Sequence, residues 1–172
     1  MDTTIPQPNQ HGVLVSIANK GVLIIGEAGI GKSSLAIELL YQGHQLIADD
    51  SIEITKINQT LIGQCPPLLK ELLHSRELGI ISIPRIFGNT AWQQQHSIDY
   101  VVMLKSVPPT EVNFSQSNQQ YTISNIQLPL LILNTHNPAS LSHRLFCWLD
   151  MQTHQRQTET ELIDRQQKIM AS

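Results

Sequence analysis

The chain has 172 residues, 41% of them hydrophobic and 15% charged, and a net charge of −3, so it holds one domain with a real core and offers no electrostatic footprint for nucleic acid or an acidic membrane. No apolar run approaches bilayer length, and the polar start MDTTIPQPNQ lacks the charged-then-apolar form of a signal peptide. Cys65 and Cys147 are isolated, with no C-x-x-C unit and no disulfide framework, which predicts a cytoplasmic protein with both thiols reduced.

Residues 1–10 read as a disordered lead-in. His11-Gly12 then opens a strand at 13–17, and the turn signal Ala18-Asn19-Lys20-Gly21 leads at once into a second apolar strand at 22–25. Strands joined so tightly should be antiparallel neighbours, which sets His11 near the far end of the second one.

That far end carries the most informative stretch in the chain. Gly26, Glu27, Ala28, Gly29, Ile30, Gly31, Lys32, Ser33 and Ser34 contain the phosphate-loop pattern G-x-x-x-x-G-K-[ST]. The glycines let backbone N–H groups turn inward at a polyphosphate, and the helix expected at 32–42 adds the positive end of its dipole. Lys32 is placed to meet the β- and γ-phosphates, and the Ser33 hydroxyl is the expected magnesium ligand. The four fixed positions would match by chance in roughly one chain in a hundred of this length. The flanking strand and helix make chance a poorer account still, so ATP or a related nucleotide is the expected ligand.

Gly43 suits the helix C-terminus, and a strand at 45–48 ends in Asp49-Asp50. Strand ends beside a phosphate loop are where metal-binding and catalytic carboxylates sit in such sheets. A hairpin is expected at 52–57 and 60–63 around Asn58-Gln59, then a break at Gln64-Cys65-Pro66-Pro67 and a short helix at 68–73. Residues 78–83 are strongly β-prone up to Pro84, residues 87–97 read as a mobile polar loop, and 98–104 as a buried strand. Trp92 and Phe87 in that loop are either partner-binding anchors or core caps. Residues 105–120 read as a loop, 121–126 and 130–133 as short strands around Pro129, and 138–150 as a helix begun by Ser140. The segment 151–172 is a polar tail, helical or frayed. His44, His96, His136, His143 and His154 share no metal-ligand spacing, so no zinc site is expected.

The phosphate loop, His11-Gly12, the run Gly43-His44-Gln45-Leu46-Ile47-Ala48-Asp49-Asp50 and the segment Arg76-Glu77-Leu78-Gly79-Ile80-Ile81, in this order, resemble the bacterial HPr serine kinase/phosphorylase family. The likeness is to its short form, which keeps only the C-terminal catalytic domain, here 11–150. The resemblance implies an α/β P-loop fold of the phosphoenolpyruvate carboxykinase/HPr kinase type, a mixed sheet with flanking helices. It implies ATP- and Mg²⁺-dependent phosphorylation of a serine on an HPr-like phosphocarrier that regulates the phosphotransferase system, and a homo-oligomer, with a hexamer within the family's range. His11 then matches the active-site histidine, Lys32 the phosphate-loop lysine, Ser33 the metal-binding serine and Asp50 the proton acceptor. Asp49 is a candidate metal ligand, and Arg76 a candidate for contact with phosphate or with the protein substrate.

Two departures bear on activity. The family's Leu-Glu-Ile-Arg-Gly-Leu-Gly reads Leu73-His74-Ser75-Arg76-Glu77-Leu78-Gly79, so His74 replaces the glutamate credited with a magnesium role. Either Glu77 or Asp49 takes that role over, or the metal site is weaker. The arginine-bearing loop has no counterpart, and Thr135-His136-Asn137-Pro138 stands where the family has Arg-Pro-Gly-Arg-Asn, so weak phosphorylase activity is expected. A kinase of the same fold with another acceptor, and a nucleotide-binding regulator with weak turnover, stay open as alternatives.

Overall fold

The structure, a computed structural model, describes residues 9–108 and 119–171, apart from the side chains of 155–159. Most of the expected lead-in and most of the expected loop at 105–120 therefore lie outside the described residues. The chain divides into two compact units, Met1–Pro138 and Ala139–Ser172.

The first unit begins with β1 (Gln10–Ile17) and β2 (Lys20–Gly26), antiparallel partners with Val13 opposite Ile24. Their tight connection works because Ala18 and Asn19 both take positive φ, 47° and 62°, the turn geometry that matches strand twist. Helix α1 (Lys32–Tyr41) follows the phosphate loop and buries Leu35, Ala36, Leu39 and Leu40. The next strand, β3 (Gln45–Ile57), pairs antiparallel with β1, so β1 lies between β2 and β3, which run parallel to each other.

Several expectations change here. The strand at 45–48 does not end at Asp49-Asp50; it runs on as one 13-residue strand, with Asp50 held at φ 69° inside it. Its partner β4 (Thr60–Gln64) completes the expected hairpin. In place of a helix at 68–73 there is one 3₁₀ turn, Pro67–Leu69, and then β5 (Leu72–Ser75) paired with β6 (Gly79–Ser82). Leu73 is fully buried on β5, so packing overrides a weak helical pattern. Pro84 does not simply stop a strand; it sits in the first turn of α2 (Ile83–Phe87), where a missing N–H costs nothing.

The stretch 87–97 is ordered by long-range bonds. Trp92 donates its indole N–H to the Ile47 carbonyl at 3.1 Å, Gln45 reaches the Thr90 carbonyl at 2.6 Å, and the side chain of Gln93 meets that of Gln45. The segment ends in β7 (Gln95–Ser97), which pairs with β4. Trp92 is thus half-buried and tied to the core, whereas Phe87 packs edge-on against the exposed Tyr41 with ring centres 4.9 Å apart.

Strand β8 (Tyr100–Lys105) pairs parallel with β2, and β10 (Ile126–Asn134) pairs parallel with β8. The hairpin β9 (Gln120–Ile123) to β10 turns at Ser124-Asn125, so β10 passes straight through Pro129. Pro129 stands where β10 passes from β9 to β8, so its missing N–H breaks no continuous ladder. Among the described residues the main sheet has eight strands in the order β7-β4-β3-β1-β2-β8-β10-β9. The core lies around Leu14, Leu23, Ile47, Ile52, Leu61 and Val101, all at 1% exposure or less.

The second unit is α3 (Leu141–Met170), so the expected helix continues through the expected tail. Ser140 caps it by accepting the His143 N–H at 3.3 Å. No helix in the described residues is long and apolar enough to cross a membrane.

Candidate active site

Three neighbouring strands from the middle of the sheet build the site at one of their ends. β2 ends in the phosphate loop, the antiparallel β1 brings its start, His11, back to that same end, and β3 carries Asp49 and Asp50 opposite Val13 and Gly12. The β5–β6 hairpin adds residues 74–77 from above. Together they line a cleft of about 340 Å³.

In the loop, Gly31 is the N-cap of α1 at φ 109°, and its carbonyl accepts the first helical bond from Leu35. Lys32 follows it. Its Nζ donates to the Gly26 and Glu27 carbonyls, both at 2.9 Å, and only 8% of the residue is exposed. Burial lowers its pKa, the Asp49 and Asp50 charges oppose that, and the nearby Arg76 adds to it.

Asp49 and Asp50 line the same cleft but differ in exposure: the left-handed Asp50, at φ 69°, interrupts the regular alternation of the strand. Asp49 is 5% exposed and both of its oxygens are engaged. Oδ1 accepts the Ser33 hydroxyl at 3.1 Å, and Oδ2 accepts the backbone N–H of His74 at 2.7 Å. Burial raises its pKa, and these two hydrogen bonds hold the rise in check. Asp49 therefore ties the helix start to the hairpin.

Asp50 is open to solvent, with 70% of its side chain exposed. His11 Nδ1 lies 2.9 Å from the Asp50 backbone carbonyl and 3.3 Å from its Oδ1. A carbonyl can only accept, so Nδ1 carries the proton and the imidazole braces Asp50 through main chain and side chain at once.

The cleft thus gathers His11, Lys32, Ser33, Asp49, Asp50 and Arg76, together with Ala28, Gly29, Gly31 and Ser34 of the loop. Gly26 and Glu27 stand behind it as the carbonyls that hold Lys32, and Ile30 closes a turn onto the Glu27 carbonyl at 3.3 Å. The sequence did not reveal that His74 joins the site through its backbone N–H, since any residue type supplies one. Glu77 also lines the cleft.

The donors present fit a magnesium ion, which prefers a few hard oxygen ligands and otherwise keeps water and substrate oxygens. Ser33 and the two carboxylates are of that kind, and the His74 imidazole is not. Among the described residues there is no cluster of three or more His, Cys, Asp or Glu arranged to hold a metal by themselves.

Comparison with known proteins agrees with the geometry. The model of the HPr serine kinase C-terminal domain matches residues 3–170. The HPr kinase/phosphorylase of Nitrosomonas europaea is 40% identical over 133 residues, 74% of this chain and 41% of that protein. That of Cupriavidus necator is 46% identical over 100 residues, 58% of this chain and 31% of that protein. The chain thus spans less than half the length of these relatives. The solved structure of the HPr(Ser) kinase/phosphatase from Coxiella burnetii superposes with a TM-score of 0.73 at 31% identity, covering 89% of this chain and 99% of that one.

Proposed function

The chain belongs to the HPr serine kinase C-terminal domain family, and on that premise we propose that it is an ATP- and Mg²⁺-dependent protein kinase acting on a serine of an HPr-like phosphocarrier, in regulation of the phosphotransferase system. The observation that carries the reading is the open carboxylate of Asp50, braced by His11 in the cleft that Lys32 and the loop glycines line. An exposed carboxylate beside a phosphate loop can receive a macromolecular hydroxyl, whereas the buried Asp49 cannot.

In this mechanism the loop N–H groups and Lys32 hold the polyphosphate. The serine oxygen attacks the γ-phosphorus, the bond to the β–γ bridging oxygen breaks, and the serine proton passes to Asp50. ADP leaves. His11 keeps Asp50 in orientation, and Asp49 holds the Ser33 hydroxyl by accepting its hydrogen bond. Magnesium, when bound, supplies charge neutralisation on the phosphates, with Ser33 and Asp49 its proposed protein-side partners. Catalysis of this kind is mostly positioning and charge stabilisation.

The relatives' names join kinase to phosphorylase or phosphatase. For this chain we favour the forward direction, because Thr135-His136-Asn137-Pro138 supplies no arginine and His74 supplies no carboxylate. A second reading, a nucleotide-binding regulator with weak turnover, draws on that same His74. Incubation with ATP, Mg²⁺ and purified HPr decides between them: the kinase gives HPr with one added phosphoryl group on serine. Nucleotide binding with no transfer to HPr removes the HPr kinase and leaves the regulator or a kinase with another acceptor. By the family likeness we place the enzyme in the cytoplasm as a homo-oligomer.

A further inference from the structure

The β5–β6 hairpin is rooted firmly. Leu73 and Ile83 at its base are fully buried, Ile83 donates its N–H to the Glu71 carbonyl at 2.9 Å, and the His74 N–H is held by Asp49. Its tip is braced by the Leu78 N–H on the Ser75 hydroxyl at 3.2 Å. Arg76 is the first residue of that tip. Among the described residues its guanidinium has no hydrogen bond or ion pair, not even to Glu77 beside it.

The guanidinium is nevertheless not loose in solvent. It lies against the phosphate loop at Gly29: a Cβ on that glycine would stand 2.7 Å from Nη1 and 3.3 Å from Cζ of Arg76. Gly29 also has φ 78°, so the backbone there already favours glycine. Gly31, at φ 109°, has open space where its Cβ would be. The loop therefore makes room for a side chain at one glycine and not at the other. A cation without a hydrogen-bond or ion-pair partner among the described residues, delivered by a well-rooted hairpin onto the phosphate loop, suits a multiply charged anion.

We propose that Arg76 is the second cation of the polyphosphate site, and that Gly29 is the position that admits it. This rests on the kinase reading and adds to it the residue that meets phosphate alongside Lys32. It gives Arg76 an anion for a ligand and not an acidic surface of the acceptor protein. The charge of Arg76 is also felt by Lys32, which places the two cations in one field.

The test is a double-mutant cycle read by calorimetric binding of inorganic tripolyphosphate and of MgATP to wild type, Arg76→Gln, Gly29→Ala and the double variant. Melting temperatures and Arg76→Lys serve as controls. Arg76→Gln should bind both ligands roughly ten- to a hundredfold more weakly at an unchanged melting temperature, with part of the loss recovered in Arg76→Lys. Gly29→Ala carries its φ penalty in either background, but displaces the guanidinium only where one is present. It should therefore cost at least about fivefold less binding in the Arg76→Gln background than in wild type. Binding by Arg76→Gln within twofold of wild type, or equal costs of Gly29→Ala in both backgrounds, overturns the proposal. If wild type still phosphorylates HPr in that event, the kinase reading stands without it. Failure of wild type to bind either ligand removes both.

Discussion

Replacing Asp50 separates its chemistry from its backbone. Asp50 sits at φ 69°, a left-handed conformation that Asp and Asn tolerate better than other residues with a Cβ. Asp50→Asn keeps the volume, that tolerance and the main-chain carbonyl that accepts from His11 at 2.9 Å. It loses the negative charge and with it the ability to take a proton. Turnover should then fall by roughly 10²–10⁴, about 2.7–5.5 kcal/mol in the barrier, with MgATP affinity and melting temperature nearly unchanged. Asp50→Ala loses the same chemistry and adds backbone strain of about 1 kcal/mol, which for a chain of this length lowers the melting temperature by about 2–4 °C. In Asp50→Gly the strain disappears while the flexible unfolded chain offsets the gain, so stability stays near that of wild type and turnover does not. Phosphoryl transfer to HPr, nucleotide binding and thermal melting on the three variants give a pattern no purely structural role can produce. Turnover of Asp50→Asn within tenfold of wild type refutes the assignment, and a crippled Asp49→Asn beside it shows the pair reversed.

Lys32→Ala should abolish turnover by removing the loop's charge on the phosphates, whereas Lys20→Ala, at the other end of β2, should transfer phosphate normally; equal rates for wild type and Lys32→Ala end the kinase reading. His74→Glu should lower the Mg²⁺ concentration for half-maximal activity, because a carboxylate is a better ligand for a hard cation than imidazole. Phosphate removal from phosphoserine-HPr by wild type should be slow even in excess inorganic phosphate, and rapid phosphorolysis would mean that both sequence departures had been misjudged. Asp49 adds a pH signature. Its folded pKa is raised above the ordinary 3.8, so in the window just above 3.8 the folded state holds more protons than the unfolded one, and stability falls as pH rises through it. The melting temperature of wild type minus that of Asp49→Asn should decline across that window, and a rising difference contradicts the assigned burial cost.

The phosphate loop could be read directly because its residues are contiguous and its backbone needs glycine. His11 could be placed beside it because a tight turn at Ala18-Asn19 permits one pairing. The continuation of β3 was hidden, since a charged pair followed by Ser51 reads as a strand end when Asp50 is in fact a left-handed residue inside the strand. The order of 87–97 was hidden too, because Trp92 and Gln93 find their partners on β3, more than forty positions earlier. Sequence could name Asp49 and Asp50 as a pair but not divide them, since burial divides them. The meeting of Arg76 with Gly29 left no signal beyond a glycine at a position that the loop pattern leaves open.

The strand order also has a kinetic side. Among the described residues the cleft is lined only by positions between His11 and Glu77, yet β2 is flanked by β8, with Val22 opposite Tyr100. The pairings β1–β2 and β3–β4 close short loops and β1–β3 an intermediate one, whereas β2–β8 must close a longer one, and loop-closure entropy favours the shorter first. The residues proposed to bind phosphate can therefore assemble while β8 and β10 are still unpaired. The edge of β2 that β8 later covers is exposed in that interval, the period when this chain is most open to mispairing with another copy of itself.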